Sequence, residues 1–347
     1  MAVLGLLGRV TLLDVAKSFD PNGTVAAVAE LLTQTNQILV DMPFIESNLP
    51  TGHRSTVRTG LPVAIWRQMY QGVPPSKSVR AQIEDAAGML ETRSEVDRDM
   101  ADLNGNTAAF RMSEASAFVE GLNQSMAQTL IYGNTALTPE RFMGLAPRFS
   151  AIAGAANAQS VISAGGVGAV NTSVWLVVWG SDTVTGFYPK GSKAGIFHED
   201  LGLIDAFDAN NARFRAYADH WQWKVGLCVR DWRYVVRICN IDTNDLANQA
   251  VTQANTASTL LIKLMIRAMA RIPFMNKGRP VFYANRTVRE MLAIQALDRS
   301  QNAIAVQPAV NQFGDVGAGS AGDGTVTFFG IPVRTVDQIL STEAQVV

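Results

Sequence analysis

Cysteine is scarce in this chain: Cys228 and Cys239 are its two thiols in 347 residues. Two thiols make no disulfide framework. There is no C-x-x-C spacing, and the three histidines, His53, His198 and His220, form no H-E-x-x-H pair, so no zinc site is expected. Both cysteines fall in strand-like stretches, which suits buried free thiols in a reducing compartment. Nucleotide signatures are missing as well. "SAGGVGAV" (163–170) lacks the G-x-G-x-x-G spacing, with no clear strand before it and no helix after it, and reads as a flexible loop. "GNTALTPE" lacks the Gly-Lys-Ser/Thr end of a phosphate loop, and no G-x-S-x-G elbow occurs. No cofactor is therefore expected.

Excess charge is missing too. The formal net charge is −1, which argues against a dedicated nucleic-acid binder and leaves little repulsion to oppose self-association. The opening "MAVLGLLGRVTLL" is shorter than the roughly 20 residues a bilayer span needs. It also lacks the basic start and cleavage site of a signal peptide. A soluble protein made in the cytosol, with no membrane partner, is expected.

What the chain does have is apolar content, 48% hydrophobic, enough for a sizeable core in one large domain or two to three smaller ones. "TVAAVAELLTQTNQILVDM" has helical spacing up to Met42-Pro43. Residues 95–103 read as helical, and a strong helix runs to about 132 with Phe118, Leu122, Met126 and Leu130 along it. The small, polar stretch 150–171 reads as a loop. "VWLVVWG" reads as a buried strand, and "WQWKVGLCVRDWRYVVRICNI" as two more with a turn near Arg230-Asp231. A helix over 250–271 presents Leu260, Leu261, Leu264, Met265 and Met269, and Pro273 stops it. "RPVFYANRTVREMLAIQAL" reads strand, turn, helix, with Asn285 or Thr287 as cap. "GTVTFFGIPVRTVDQIL" reads as two strands around a Gly-Ile-Pro turn. The class is α+β.

One stretch stands apart. From Ser47 to Arg80, "SNLPTGHRSTVRTGLPVAIWRQMYQGVPPSKSVR" alternates like strands around the proline-rich tip "YQGVPPSKS", the picture of a long two-stranded excursion. A lone two-stranded ribbon is marginal in water and needs a surface to lie on. It carries Arg54, Arg58, Arg67, Lys77 and Arg80 with no acid, net +5 from His53 to Arg80. Next in sequence comes an acid-rich helical region, Ala81–Glu120, net −6, which includes Glu91, Glu95, Asp97, Asp99 and Asp102. Exposed ion pairs contribute about 0–1 kcal/mol each. Complementary patches of this kind can instead set register between copies of one chain, in a contact that closes into rings or extends into lattices. These ten residues are the candidate inter-subunit interface. His53 has no acid between Thr51 and Arg80 to orient it and is not expected to be catalytic. "IFHEDLG" reads as a solvated turn in a Gly-flanked loop. His220 reads as a partly buried strand residue.

Four stretches, in order, resemble the major capsid proteins of tailed bacteriophages, the Hong Kong 97-like fold. They are the ribbon around 47–83, "SEASAFVEGLNQSMAQTLIYGNTALTPERFMGLAPRF" (113–149), "FYANRTVREML" (282–292) and "FFGIPVRTVDQI" (328–339). The resemblance implies an N-terminal arm and helix over 1–43 and an extended loop (E-loop) over 44–83. It implies a peripheral domain with a spine helix over 84–171 and an axial domain over 172–310, with an insertion around 180–245. It implies C-terminal strands returning to the peripheral domain over 311–347. It further implies pentamers and hexamers of an icosahedral phage head around double-stranded DNA, assembled in the bacterial cytoplasm. Partners would be copies of itself, a portal, a decoration protein and weakly held, non-specifically contacted DNA. About 40 residues precede the ribbon, so a separate scaffolding protein is expected. Lys77 lies near the ribbon tip, but no asparagine or activating glutamate is identified for a crosslink. The alternatives are an encapsulin-like nanocompartment subunit and a small-molecule enzyme using His198, Glu199 and Asp200.

Overall fold

The computed structural model describes residues 34–102, 107–207, 210–246, 261–297, 304–307 and 325–347. In chain order its elements are α1 (Ile38–Asp41), β1 (Phe44–Glu46), β2 (Gly52–Gly60), β3 (Val79–Ala86), β4 (Gly88–Asp97), α2 (Arg98–Ala101), α3 (Thr107–Tyr132) and α4 (Leu145–Arg148). There follow β5 (Val161–Ser163), β6 (Asn171–Trp179), β7 (Val184–Tyr188), β8 (Ile196–Phe207), β9 (Arg213–Val229) and β10 (Val235–Asp242). The last are α5 (Leu261–Arg271), β11 (Arg279–Ala284), α6 (Arg286–Leu297), β12 (Ile304–Gln307), β13 (Thr325–Phe328) and β14 (Ile331–Thr335). They form two compact units. Among the described residues, one spans Gln34, Met89–Met126 and Lys193–Lys224; the other spans Thr35–Gly88, Ala127–Ser192 and Val225–Val347. No described helix is long and apolar enough to cross a membrane.

The larger unit is built on β6, every residue of which is buried. Such an unbroken run marks a strand covered on both faces. β10 pairs antiparallel on one side of it, with Val235 opposite Val177, and β11 on the other, with Val281 opposite Val177. β14 continues the sheet parallel to β11, and β13 and β12 follow antiparallel. On one face Val174, Leu176 and Val178 meet Leu261, Ile262, Met265 and Ala268 of α5 and Val288 and Leu292 of α6. Each large aliphatic side chain buried there contributes about 1.5–3 kcal/mol. Asn285 caps α6, its Oδ1 accepting from Val288 N at 2.9 Å.

The opposite face is polar at its centre. Arg237 lies 5.0 Å over the Trp175 ring and pairs with Glu343 at 3.0 Å, both almost wholly buried. Glu343 also accepts from the Tyr132 hydroxyl at 2.5 Å. Asn240, in the left-handed region at φ 56°, exchanges two 2.8 Å bonds with the Val346 backbone, so the C-terminal tail is pinned to β10. Asp41, Tyr283 and Trp179 form a second buried chain of hydrogen bonds.

In the smaller unit β8 and β9 form a long antiparallel hairpin, and β4 lies beside β9. Phe110 of α3 packs with Val96, Ala101 and Tyr217. Phe118 stacks on Trp221 at 5.5 Å, and His198 stacks on Trp221 at 5.1 Å.

Several expectations change. Gln34–Asn36 are not helical: Asn36 bridges Val336 and Gln37 N donates to Thr335 O, so pairing with the β14 end overrides helical spacing there, and among the described residues of that stretch Ile38–Asp41 is the helical part. Residues 95–97 are strand, because Ser94 and Val96 are buried in β4 while Asp97 caps α2. Within 150–171, Val161 and Ile162 are buried in β5, which pairs parallel with β10 and precedes the "SAGGVGAV" loop. The last turn lies at Phe329-Gly330, with φ 48° and 81°, and Pro332 is already in β14. Residues 250–260 of the expected helix and most of the expected arm lie outside the described residues.

Candidate functional site

The ribbon is β2 paired antiparallel with β3, and its register sorts the basic residues. Directly opposite residues project to the same face of a strand pair. On the outward face Arg54 meets Glu84 in a 2.9 Å ion pair, Thr56 meets Gln82, and Arg58 meets Arg80. No ion pair among the described residues uses Arg58 or Arg80, which makes this a like-charged pair without a counter-ion among them. The strands stop at Gly60 and Val79, sooner than alternation suggested, and Leu61–Ser78 is unpaired. That stretch holds Arg67 and Lys77, both exposed, and a series of exposed apolar side chains. Trp66 and Tyr70 are as open to solvent as in a free peptide, and Leu61, Val63 and Met69 are mostly open. Tyr70 also holds a positive φ of 68°.

The other face of the ribbon enters its own body at the root. His53, Ser55 and Asp85 are buried there. Gly52 permits the approach, since a Cβ would sit 2.4 Å from Asp85 O. Arg148 Nη2 donates to Asp85 Oδ1 at 2.7 Å and also to Met143 O and Leu227 O at 3.3 Å. His53 packs 5.6 Å from Phe187 with neither ring nitrogen hydrogen-bonded, and burial, aided by Arg230, lowers its pKa. Burial pushes the Cys228 thiol up to about 12 and the Cys239 thiol up to about 11; both cysteines are free. The Asp85–Arg148 tie escaped the sequence reading, which counted Asp85 into the acid-rich region. Its partner is 63 residues away, and no spacing rule reaches that far.

The expected acidic set sits mostly on strand rather than helix. β4 carries Glu91, Glu95 and Asp97 on one face. Glu91 accepts from Gln222 and lies 3.4 Å from His220 Nε2; the Gln222 bond holds its carboxyl below the usual range. Glu95 pairs with Arg93 at 3.4 Å, Asp102 with Arg98 at 3.5 Å, and Asp97 accepts from Asp99 N at 2.9 Å. Asp99 itself is exposed.

His198, Glu199 and Asp200 lie in the middle of β8, paired to Trp221, His220 and Asp219, and not in a loop. Gly202, at φ 67°, makes a bulge there that hides the alternation. His198 Nε2 lies 2.9 Å from Asp219 Oδ1. Arg111 of α3 binds both Asp219 (2.9 Å) and Asp200 (2.7 Å), and its hydrogen bond holds the Asp200 carboxyl below the usual range. A groove of about 340 Å³ in this unit is lined by Leu90, Glu91, Phe118 and Leu122 among others, and not by the triplet. Arg111 ties helix to hairpin through these carboxylates. Among the described residues no group of histidine, cysteine and carboxylates could hold a metal.

A mostly buried body that sends out a ribbon with bare aromatics and uncompensated charge is built as an assembly subunit. The chain has the α+β Hong Kong 97-like capsid fold. It belongs to the family described as Major capsid protein GP7, whose model matches residues 20–347. It is 36% identical to a chain in the cryo-EM structure of bacteriophage Epsilon15, covering 99% of each, with a TM-score of 0.74. More remote matches include the capsid of a native GTA particle (11% identity, 68% of this chain and 99% of that one, TM-score 0.46). Another is the holo-SrpI encapsulin complex of Synechococcus elongatus PCC 7942 (11% identity, 67% and 97%, TM-score 0.44). No curated protein matches the chain. The protein is a phage major capsid protein, structural in role, and resides in the virion shell that copies of it form.

Proposed function

We propose that the ribbon lies on a second copy of the chain and sets the register of pentamers and hexamers in an icosahedral head around double-stranded DNA. The subunit is non-catalytic. Trp66 and Tyr70 anchor the contact by burying their rings, since large aromatics dominate the energy of such interfaces. Arg58 and Arg80, with Arg67 and Lys77, meet the neighbour's acidic face at Glu91, Glu95, Asp97, Asp99 and Asp102. Arg54 contributes less, being paired already with Glu84. The observation that carries this reading is the full exposure of Trp66 and Tyr70 on a ribbon with an uncompensated arginine pair. The domains expected from the resemblance, a separate scaffolding protein, a portal, a decoration protein and weak backbone contact with DNA belong to the same reading.

Negative-stain microscopy and light scattering of the purified chain test it. Wild type forms closed shells, and Trp66→Ala with Tyr70→Ala leaves folded subunits that do not close. Equal shell yield from wild type and the double variant would refute the ribbon's role.

A further inference from the structure

A cleft of about 750 Å³ lies between β2 and the turn that joins β9 to β10. Ser55–Thr59 line it on the ribbon side and Arg230–Arg233 on the body side, with Asp182 and Lys277 completing the lining. Positive charge is in excess: Arg230, Arg233 and Lys277 stand against two carboxylates, with Arg58 at the rim on the ribbon's outward face. Those carboxylates are already occupied. Asp231 accepts from Arg233 Nε at 2.9 Å and Nη2 at 2.7 Å, and Asp182 accepts from Arg230 Nη1 at 3.4 Å.

What is left over is donors. Arg230 Nε is buried without a hydrogen-bond partner on one wall; on the other, Ser55 Oγ is buried with the Cys228 thiol as its weak neighbour and no oxygen or nitrogen partner. Lys277 is exposed, its ammonium 5.2 Å over the Tyr234 ring, and it joins no ion pair among the described residues. A buried guanidinium N–H without an acceptor is costly, and an oxyanion is the ligand that a guanidinium, an ammonium and a hydroxyl bind together. With both carboxylates held by arginines, the remaining positive charge repels a metal cation and suits an anion.

We propose that this cleft is a binding site for a single oxyanion of phosphate or carboxylate type, held by Arg230, Lys277 and Ser55. Because one wall is ribbon and the other body, occupancy fastens the ribbon near its root. The inference stands on the cleft alone and does not require the assembly reading.

The test is thermal unfolding of the full-length dispersed subunit in sodium phosphate, sodium acetate and sodium chloride at matched ionic strength. Phosphate should raise the Tm saturably by about 2–4 °C over chloride. Lys277→Gln and Ser55→Ala should lose that increment while keeping their Tm in chloride. Lys277 is exposed, so its variant keeps the test valid if Ser55→Ala folds poorly. A saturable response to phosphate alone assigns the site to free phosphate. A response to acetate as well assigns it also to a carboxylate such as a second copy would bring. No increment over chloride, or the same increment in Lys277→Gln, overturns the proposal.

Discussion

Arg58 stands directly opposite Arg80 across the ribbon. Two like charges facing each other weaken a strand pair, while an opposite pair there contributes about 0.2–1 kcal/mol. Arg80→Glu therefore leaves the isolated subunit as stable as wild type or slightly more so. It should nonetheless weaken assembly, most at low salt, where charges reach further than the roughly 8 Å of physiological ionic strength. Unfolding of the dispersed subunit and light scattering across a salt series check the two halves separately. Normal assembly at all salt concentrations would remove charge from the account of register.

Arg148 holds Asp85 at the ribbon root, both largely buried. Removing one partner of a buried pair leaves an uncompensated charge and costs about 3–5 kcal/mol. Arg148→Met should lower stability in urea by that order. Arg148→Met with Asp85→Asn together should recover part of the loss.

His53 gives the root a pH dependence. Burial and Arg230 depress its folded pKa below 6.5, with Asp85 partly offsetting them, while the unfolded chain keeps the ordinary value. The folded state therefore binds fewer protons. The contribution of neutral His53 is complete above 6.5 and is lost as pH falls below it toward the folded value. Denaturant titrations as the pH is lowered from 6.5 should show stability falling in wild type and a flatter slope in His53→Gln. An unchanged slope would place the titration elsewhere.

The C-terminal tail is fastened by Glu343, which binds Arg237 and Tyr132 under the sheet. Glu343→Gln leaves Arg237 buried without its counter-charge. It should destabilise the fold by about 3–5 kcal/mol and open the last residues to carboxypeptidase.

Cys228 and Cys239 are buried, with thiols pushed up to about 12 and about 11. Neither should react with an aromatic disulfide reagent at pH 8 until the chain unfolds. Reaction in the native state would contradict the packing of β9 and β10.

What could be read from the sequence was whatever is local. The run Val174–Trp179 announced a covered strand, Asn285 announced a helix start, and the acid-free stretch to Arg80 announced an exposed ribbon. What misled was local pattern overruled by distant partners. Asn36 has helical spacing around it but pairs with Val336. Glu95 and Asp97 suit a helix by charge, yet Ser94 and Val96 between them are buried in a sheet. A bulge at Gly202 broke the alternation that would have put His198 on a strand. The root of the ribbon was the least legible, because Asp85, Arg148 and His53 come together only through the fold.

Electron microscopy of shells assembled from wild type and from the Trp66→Ala, Tyr70→Ala double variant tests the central claim most directly. The account predicts closed icosahedral shells from wild type, each with the ribbon tip lying on a neighbouring copy, and folded but unclosed subunits from the variant. A wild-type shell in which Trp66 and Tyr70 remain exposed to solvent would contradict it.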